Sequence, residues 1–109
     1  MKHKVCSWSE LVSQGKVRVL VNERPILVVA HTNQAYAISD KCPHKGMPLS
    51  PGKCEGGIIR CKEHGLQVDV TTGMVVPSPK AKFLVPNSDQ QTVKIFKTSI
   101  ANGDVYIEV

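Results

Sequence analysis

At 109 residues, with 41% apolar and only 5% aromatic side chains, the chain suits one domain with a thin core and has no room for a second catalytic domain. No apolar run reaches the roughly 18 residues of a membrane span. The opening MKHKVCSWSE lacks the apolar segment of a secretion signal, so a cytoplasmic protein is expected. The net charge of +5 is not accompanied by a basic stripe with interleaved aromatics or by a basic helix, which excludes an evident nucleic-acid surface.

In chain order, SWSELVSQGK places Ser7 three residues before Glu10. That is capping-box spacing and predicts one short helical turn stopped near Gly15. Thereafter the pattern is that of strands. KVRVLV (16–21) alternates, PILVVAH (25–31) is a continuous β-branched run suited to a central strand, and QAYAIS (34–39) alternates again, with a hairpin turn at Thr32-Asn33. From residue 40 to 86 the punctuation is dense, with six of the eight glycines and six of the seven prolines. Two short strands are expected in this stretch, at 58–60 and 67–70. TVKIFK (92–97) and DVYIEV (104–109) alternate around a turn at Asn102-Gly103. The expected fold class is all-β: an antiparallel sandwich or barrel base over a single domain, 1–109, carrying a loop-rich subdomain at about 40–86.

The chemistry is concentrated in CPHKGMPLSPGKCEGGIIRCKEHG, residues 42–65. Its ligand pattern is Cys42-x-His44, 16 residues, then Cys61-x2-His64. Interleaved Cys and His in a cytoplasmic chain point to metal rather than to disulfides. Thiolates select zinc or iron–sulfur chemistry, and imidazole suits both. Structural zinc sites draw cysteines from C-x2-C knuckles and histidines at x3–x5 spacing. The pairing of C-x-H with C-x2-H instead fits a [2Fe–2S] cluster, with both cysteines on one iron and both histidines on the other. Gly46 and Gly65 would let backbone N–H groups approach cluster sulfur.

CPHKG with CKEHG closely resembles the Rieske iron–sulfur motif. AYAISDKCPHKGMPLS, VDVTTGMVVPSP and ELVSQGKVRVLVNERPILVVAH are similar to the surrounding segments of Rieske ferredoxins, so the resemblance covers nearly the whole chain, least well over 80–91. It implies the Rieske fold and one [2Fe–2S] cluster per chain. It also implies Cys42 and Cys61 on the inner iron, His44 and His64 on the outer iron, and a covering loop at Pro77-Ser78-Pro79. The implied role is a one-electron carrier between a flavin-bearing ferredoxin reductase and a terminal oxygenase, acting as a monomer. The alternatives are a small subunit of an assimilatory nitrite reductase, against which the intact ligand set argues, and a zinc-stabilised interaction module.

Other residues support the carrier reading. A mononuclear oxygenase iron needs two histidines and a carboxylate. Only His3 and His31 remain, His3 expected on a loose terminus and His31 as a structural or exposed residue at a strand end. No nucleophile–base pair or nucleotide motif is visible, so no substrate chemistry by the chain itself is expected. Cys54 reads as a spare thiol in a loop and Cys6 as a small apolar residue. Trp8, Tyr36, Phe83, Phe96 and Tyr106 read as core. Between Asp40 and Lys82 there are seven basic residues (Lys41, Lys45, Lys53, Arg60, Lys62, Lys80, Lys82) against Asp40, Glu55, Glu63 and Asp69. That surplus is either a solvated surface or a field that steers an acidic partner.

Ligation also sets the potential. Two ferric ions and two sulfides sum to +2 and two thiolates cancel it, so the oxidised centre is neutral and the reduced one −1. A four-thiolate cluster is two units more negative in each state, so histidine ligation makes an added electron easier to accept. High-potential Rieske proteins add a disulfide between the ligand loops and a serine near cluster sulfur; this chain has Met47, Glu63 and Leu66 at those places. The expected midpoint therefore lies low in the Rieske range of roughly −150 to +300 mV. Redox titration giving a value above about +100 mV on that scale would overturn this.

Overall fold

The described residues of this computed structural model, 2–41, 48–60, 67–76 and 93–109, form ten strands and one helix. β1 (Lys2–Ser7) leads into α1 (Trp8–Gln14), followed by β2 (Lys16–Val21), β3 (Arg24–His31) and β4 (Gln34–Ser39). Four short strands come next: β5 (Lys53–Glu55), β6 (Ile58–Arg60), β7 (Gln67–Asp69) and β8 (Val75–Val76). β9 (Ile95–Ala101) and β10 (Asp104–Glu108) come last.

Local chemistry accounts for the first elements. The Ser7 hydroxyl accepts the Glu10 N–H at 3.1 Å, capping an orphan donor of α1. At the other end the Gly15 N–H donates to the Leu11 carbonyl at 2.7 Å. The helix makes about two turns rather than the expected one, because Leu11 is fully buried and anchors the second turn. Its first residue, Trp8, donates its N–H to the Gly103 carbonyl at 2.8 Å, which fastens it to the β9–β10 turn. Thr32-Asn33 and Asn102-Gly103 turn with positive φ at both residues, as does Asn22-Glu23. Such two-residue turns match the right-handed twist of the strands they join.

The strands pair antiparallel in two sheets, ordered β1-β10-β9-β4-β3-β2 and β5-β6-β7-β8. Helix α1 touches both edge strands of the first sheet, β1 and β2, and makes it a nearly closed barrel. The barrel interior holds Leu11, Val21, Ile26, Val28, Ala35, Ala37, Val105 and Ile107. A second core lies between the sheets: Leu27, Val29, Ile38, Leu49, Ile59, Val68, Val70 and Val93. Successive side chains of a strand point to opposite faces. β3 therefore sends Ile26 and Val28 into one core and Leu27 and Val29 into the other. Burial on both faces explains the unbroken apolar run of this strand.

The fold class is all-β, as expected, with further local differences. Residues 2–7 are strand rather than loose terminus, and His3 pairs in register with Ile107. This strand was hard to see because Lys2 and Lys4 occupy its outer face and the register shifts between Lys4 and Cys6. Cys54 lies on β5 instead of in a loop; three residues with no β-branched side chain give no pattern. The two-residue β8 was likewise too short to read. β9 runs Ile95–Ala101, past the expected end at 97, because its pairing with β10 extends through Thr98 to Ala101; the expected start, Thr92, lies outside the described residues.

Gly73 and Gly103 both have positive φ, at 77° and 79°. A Cβ on Gly103 meets open space, whereas one on Gly73 falls 2.2 Å from the Val93 carbonyl oxygen. Gly103→Ala is expected to cost only the left-handed strain of about 1–2 kcal/mol. Gly73→Ala must also displace Val93 and should cost clearly more in denaturant unfolding.

Candidate metal centre

The expected ligands Cys42, His44, Cys61 and His64 lie outside the described residues, as do Met47, Glu63, Leu66, Phe83 and Pro77-Ser78-Pro79. The described residues show how the segments bearing them are tied at their bases. Asp40 closes the first. Its side chain is completely buried, and Oδ1 accepts the N–H groups of Leu49 and Ser50, both at 2.7 Å. Oδ2 accepts Arg18 Nε at 2.6 Å. The Asp40 N–H donates to the Pro25 carbonyl at 3.0 Å, and the Ser39 N–H to the Lys94 carbonyl at 2.8 Å. One carboxylate thus joins the two ends of the 42–47 segment to each other and to β2.

The second segment, 61–66, connects β6 to β7, and its ends Arg60 and Gln67 face each other in register. The third, 77–92, leaves from Val76, which pairs with Gln67, and returns at Val93, whose N–H donates to the Gly73 carbonyl at 2.7 Å. Lys53, Arg60, Gln67 and Val76 therefore form one row across all four strands of the second sheet. The turn that brings the chain from the first segment back to this row packs against its middle: a Cβ on Gly52 would fall 1.9 Å from the Arg60 carbonyl oxygen. The Gly52 carbonyl also accepts the ammonium of Lys16 from the barrel. All three connections meet one end of the second sheet, at Lys53, at Arg60 and Gln67, and at Val76, while the first comes from β4 and the third returns to β9 of the first sheet.

The remaining sulfur and imidazole groups form no rival site. Among the described residues no three His, Cys, Asp or Glu side chains are grouped to hold a metal. Cys6 and Cys54 are free thiols that pack against opposite cores, Cys6 in the barrel and Cys54 between the sheets. Burial pushes both thiols above their ordinary pKa; Glu10 and Asp104 add to this at Cys6, and Lys16 opposes it at Cys54. Burial thus makes both thiols harder to ionise and less reactive as nucleophiles. The His31 ring packs on the β5–β6 turn, with Nε2 2.9 Å from where a Gly57 Cβ would stand, and serves as a spacer between the two sheets. Trp8 and Phe96 pack against the barrel core and Tyr36 against the inter-sheet core, as expected.

A family model described as the Rieske [2Fe–2S] domain matches residues 1–100. The chain belongs to the Rieske [2Fe–2S] family. This Rieske domain therefore carries a single [2Fe–2S] cluster, a centre of the kind that takes two thiolates and two imidazoles. The chain is 33% identical over 106 residues to ferredoxin CarAc of Metapseudomonas resinovorans, covering 95% of this chain and 90% of that one. It superposes with a TM-score of 0.78 and 33% identity on a chain of the solved complex of reduced oxygenase and oxidized ferredoxin in carbazole 1,9a-dioxygenase, covering 97% and 91% of the two chains. The Sphingomonas yanoikuyae B1 ferredoxin shares the fold at TM-score 0.80 and 22% identity, over 100% and 99% of the two chains. No helix among the described residues is long and apolar enough to cross a membrane.

The Asp40 clamp yields a direct test. Asp40→Ala leaves the buried Leu49 N–H and the Ser50 N–H without their acceptor, at about 1–3 kcal/mol for each group so stranded. Arg18 is 45% exposed and can turn to water, so it adds little. Asp40→Ala should lower unfolding stability by about 2–6 kcal/mol and speed bleaching of the cluster's visible absorbance. Asp40→Asn keeps an acceptor oxygen and should do less of both.

Proposed function

We propose that the chain is a low-potential Rieske-type ferredoxin, accepting single electrons from a flavin-bearing reductase and delivering them to a terminal oxygenase. The observation that carries this reading is the likeness to ferredoxin CarAc across nearly the full length of both chains. The neighbouring complex pairs such a ferredoxin with its oxygenase. The chain works in the cytoplasm as one domain, 1–109, whose cluster-binding subdomain spans about 40–86 and includes the second sheet.

In this reading Cys42 and Cys61 hold one iron and His44 and His64 the other. The two thiolates offset the charge of the ferric ions and sulfides, and the neutral imidazoles add none. When bound, the cluster supplies a one-electron couple. The chain's own part is to hold the four ligands on segments tied to a common base, so that their positions change little as the charge changes by one. The row Lys53–Arg60–Gln67–Val76 and the Asp40 clamp suit that task.

Ligand replacement separates the assignments. Cys42→Ser and Cys61→Ser should abolish the red-brown cluster and the Rieske-type electron paramagnetic resonance signal of the reduced protein. Cys54→Ser should leave both unchanged, since that thiol packs against the inter-sheet core. His64→Cys adds a negative ligand and should move any retained cluster to a lower midpoint. A cluster that survives loss of Cys61 but not of Cys54 would refute the ligand set, and a colourless zinc protein would refute the carrier.

A further inference from the structure

The outer face of the second sheet carries its charge in order. Its inner face is apolar, with Cys54, Ile59 and Val68 facing the inter-sheet core. Strand alternation turns Lys53, Glu55, Ile58, Arg60, Gln67 and Asp69 outward. The row nearest the ligand-bearing segments is Lys53, Arg60 and Gln67, and the row beyond it is Glu55, Ile58 and Asp69. The near row thus holds two cations and no anion, and the far row two anions and no cation.

Placing Lys53 directly opposite Arg60 costs stability, since like charges at a cross-strand pair repel. Little relieves it. The Lys53–Glu55 ion pair is at 3.9 Å with both side chains over 80% exposed, so it contributes almost nothing. Arg60 has no anionic partner among the described residues. Asp40, one of the acidic residues of this stretch, does not screen the face either, being buried against Arg18. The two cations and Gln67 frame an open concavity of about 310 Å³ that also reaches Glu55 and Ile58. A guanidinium fork, an ammonium and a carboxamide around such a hollow suit a carboxylate side chain.

We propose that this row is a docking surface for an acidic face of the redox partner, with Lys53 and Arg60 receiving its carboxylates beside the second ligand segment. The proposal rests on the carrier reading and adds the partner's charge and its orientation. The far row of anions repels the same acidic face, so the sheet's charge order turns the ligand-bearing end toward the partner rather than merely attracting it. Lys41, exposed next to the first segment, has the same sign.

The test uses the cluster-loaded protein and a fluorescent synthetic glutamate-rich peptide, with binding read by anisotropy at low and high salt. Three proteins are compared: the parent, Lys53→Gln/Arg60→Gln, and Lys2→Gln/Lys97→Gln, which removes the same net charge from the first sheet. The first double variant should lose on the order of tenfold in affinity at low salt and most of the salt dependence; the second should keep both. Unfolding should show Lys53→Gln/Arg60→Gln as stable as the parent or more so, because a repulsion has been removed. Equal losses in the two variants, or no loss in either, would overturn the docking surface while leaving an intact reducible cluster and the carrier reading in place. A parent protein with no reducible cluster would overturn both.

Discussion

A single buried carboxylate organises the part of this protein that matters for chemistry. The Asp40 side chain has no exposure to water, and among the described residues its carboxylate makes only charge-assisted bonds: two backbone N–H groups on one oxygen and the Arg18 guanidinium on the other. A carboxylate in that position is costly unless fully satisfied, and the bonds that satisfy it come from three separate places in the chain. Residue 40 ends the β3–β4 meander, residues 49 and 50 lie beyond the first ligand segment, and Arg18 belongs to β2. Closing this set fixes the base of the first ligand segment against the barrel. Hydrogen bonds to a charged group are stronger than neutral ones, so the clamp is strong where a small loop-rich sheet has little apolar area to offer.

That sheet is itself held by sharing a core. Leu27, Val29 and Ile38 project from the barrel's β3 and β4 and pack against Ile59, Val68, Val70 and Leu49. The barrel wall therefore serves two cores, and the second sheet needs no core of its own. The outcome is one row, Lys53 to Val76, at which the β4–β5, β6–β7 and β8–β9 connections all have an end. A Rieske centre draws ligands from two loops, and a common base row brings two loops together without a large scaffold. The same row carries the cations Lys53 and Arg60, so it also orders the charge at that end of the sheet.

Much of this was legible in the residues. PILVVAH reads as a strand buried on both faces because its apolar run has no polar alternate positions, and it is one. Thr32-Asn33 and Asn102-Gly103 are the turns their residue types suggest. Ser7 and Glu10 start the helix. The short elements were less visible. KCE gives no period, and the two-residue Val75–Val76 is below the length at which alternation means anything. In residues 2–7 the charged Lys2 and Lys4 hide a strand that exists because β10 offers an edge to pair with.

By itself the sequence displays the candidate donor set. Two Cys–His pairs at C-x-H and C-x2-H spacing are local facts of chain chemistry, as are the absence of a second ligand set and the residues at Met47, Glu63 and Leu66. It also determined the family, which the match over residues 1–100 bears out. Tertiary structure alone decided the rest. That Asp40 is a clamp and not a surface charge depends on Arg18, Leu49 and Ser50 meeting it. That Lys53 and Arg60 stand side by side depends on strand register. Long-range pairings such as these are set by which partners share a core, and one-dimensional spacing carries no record of them.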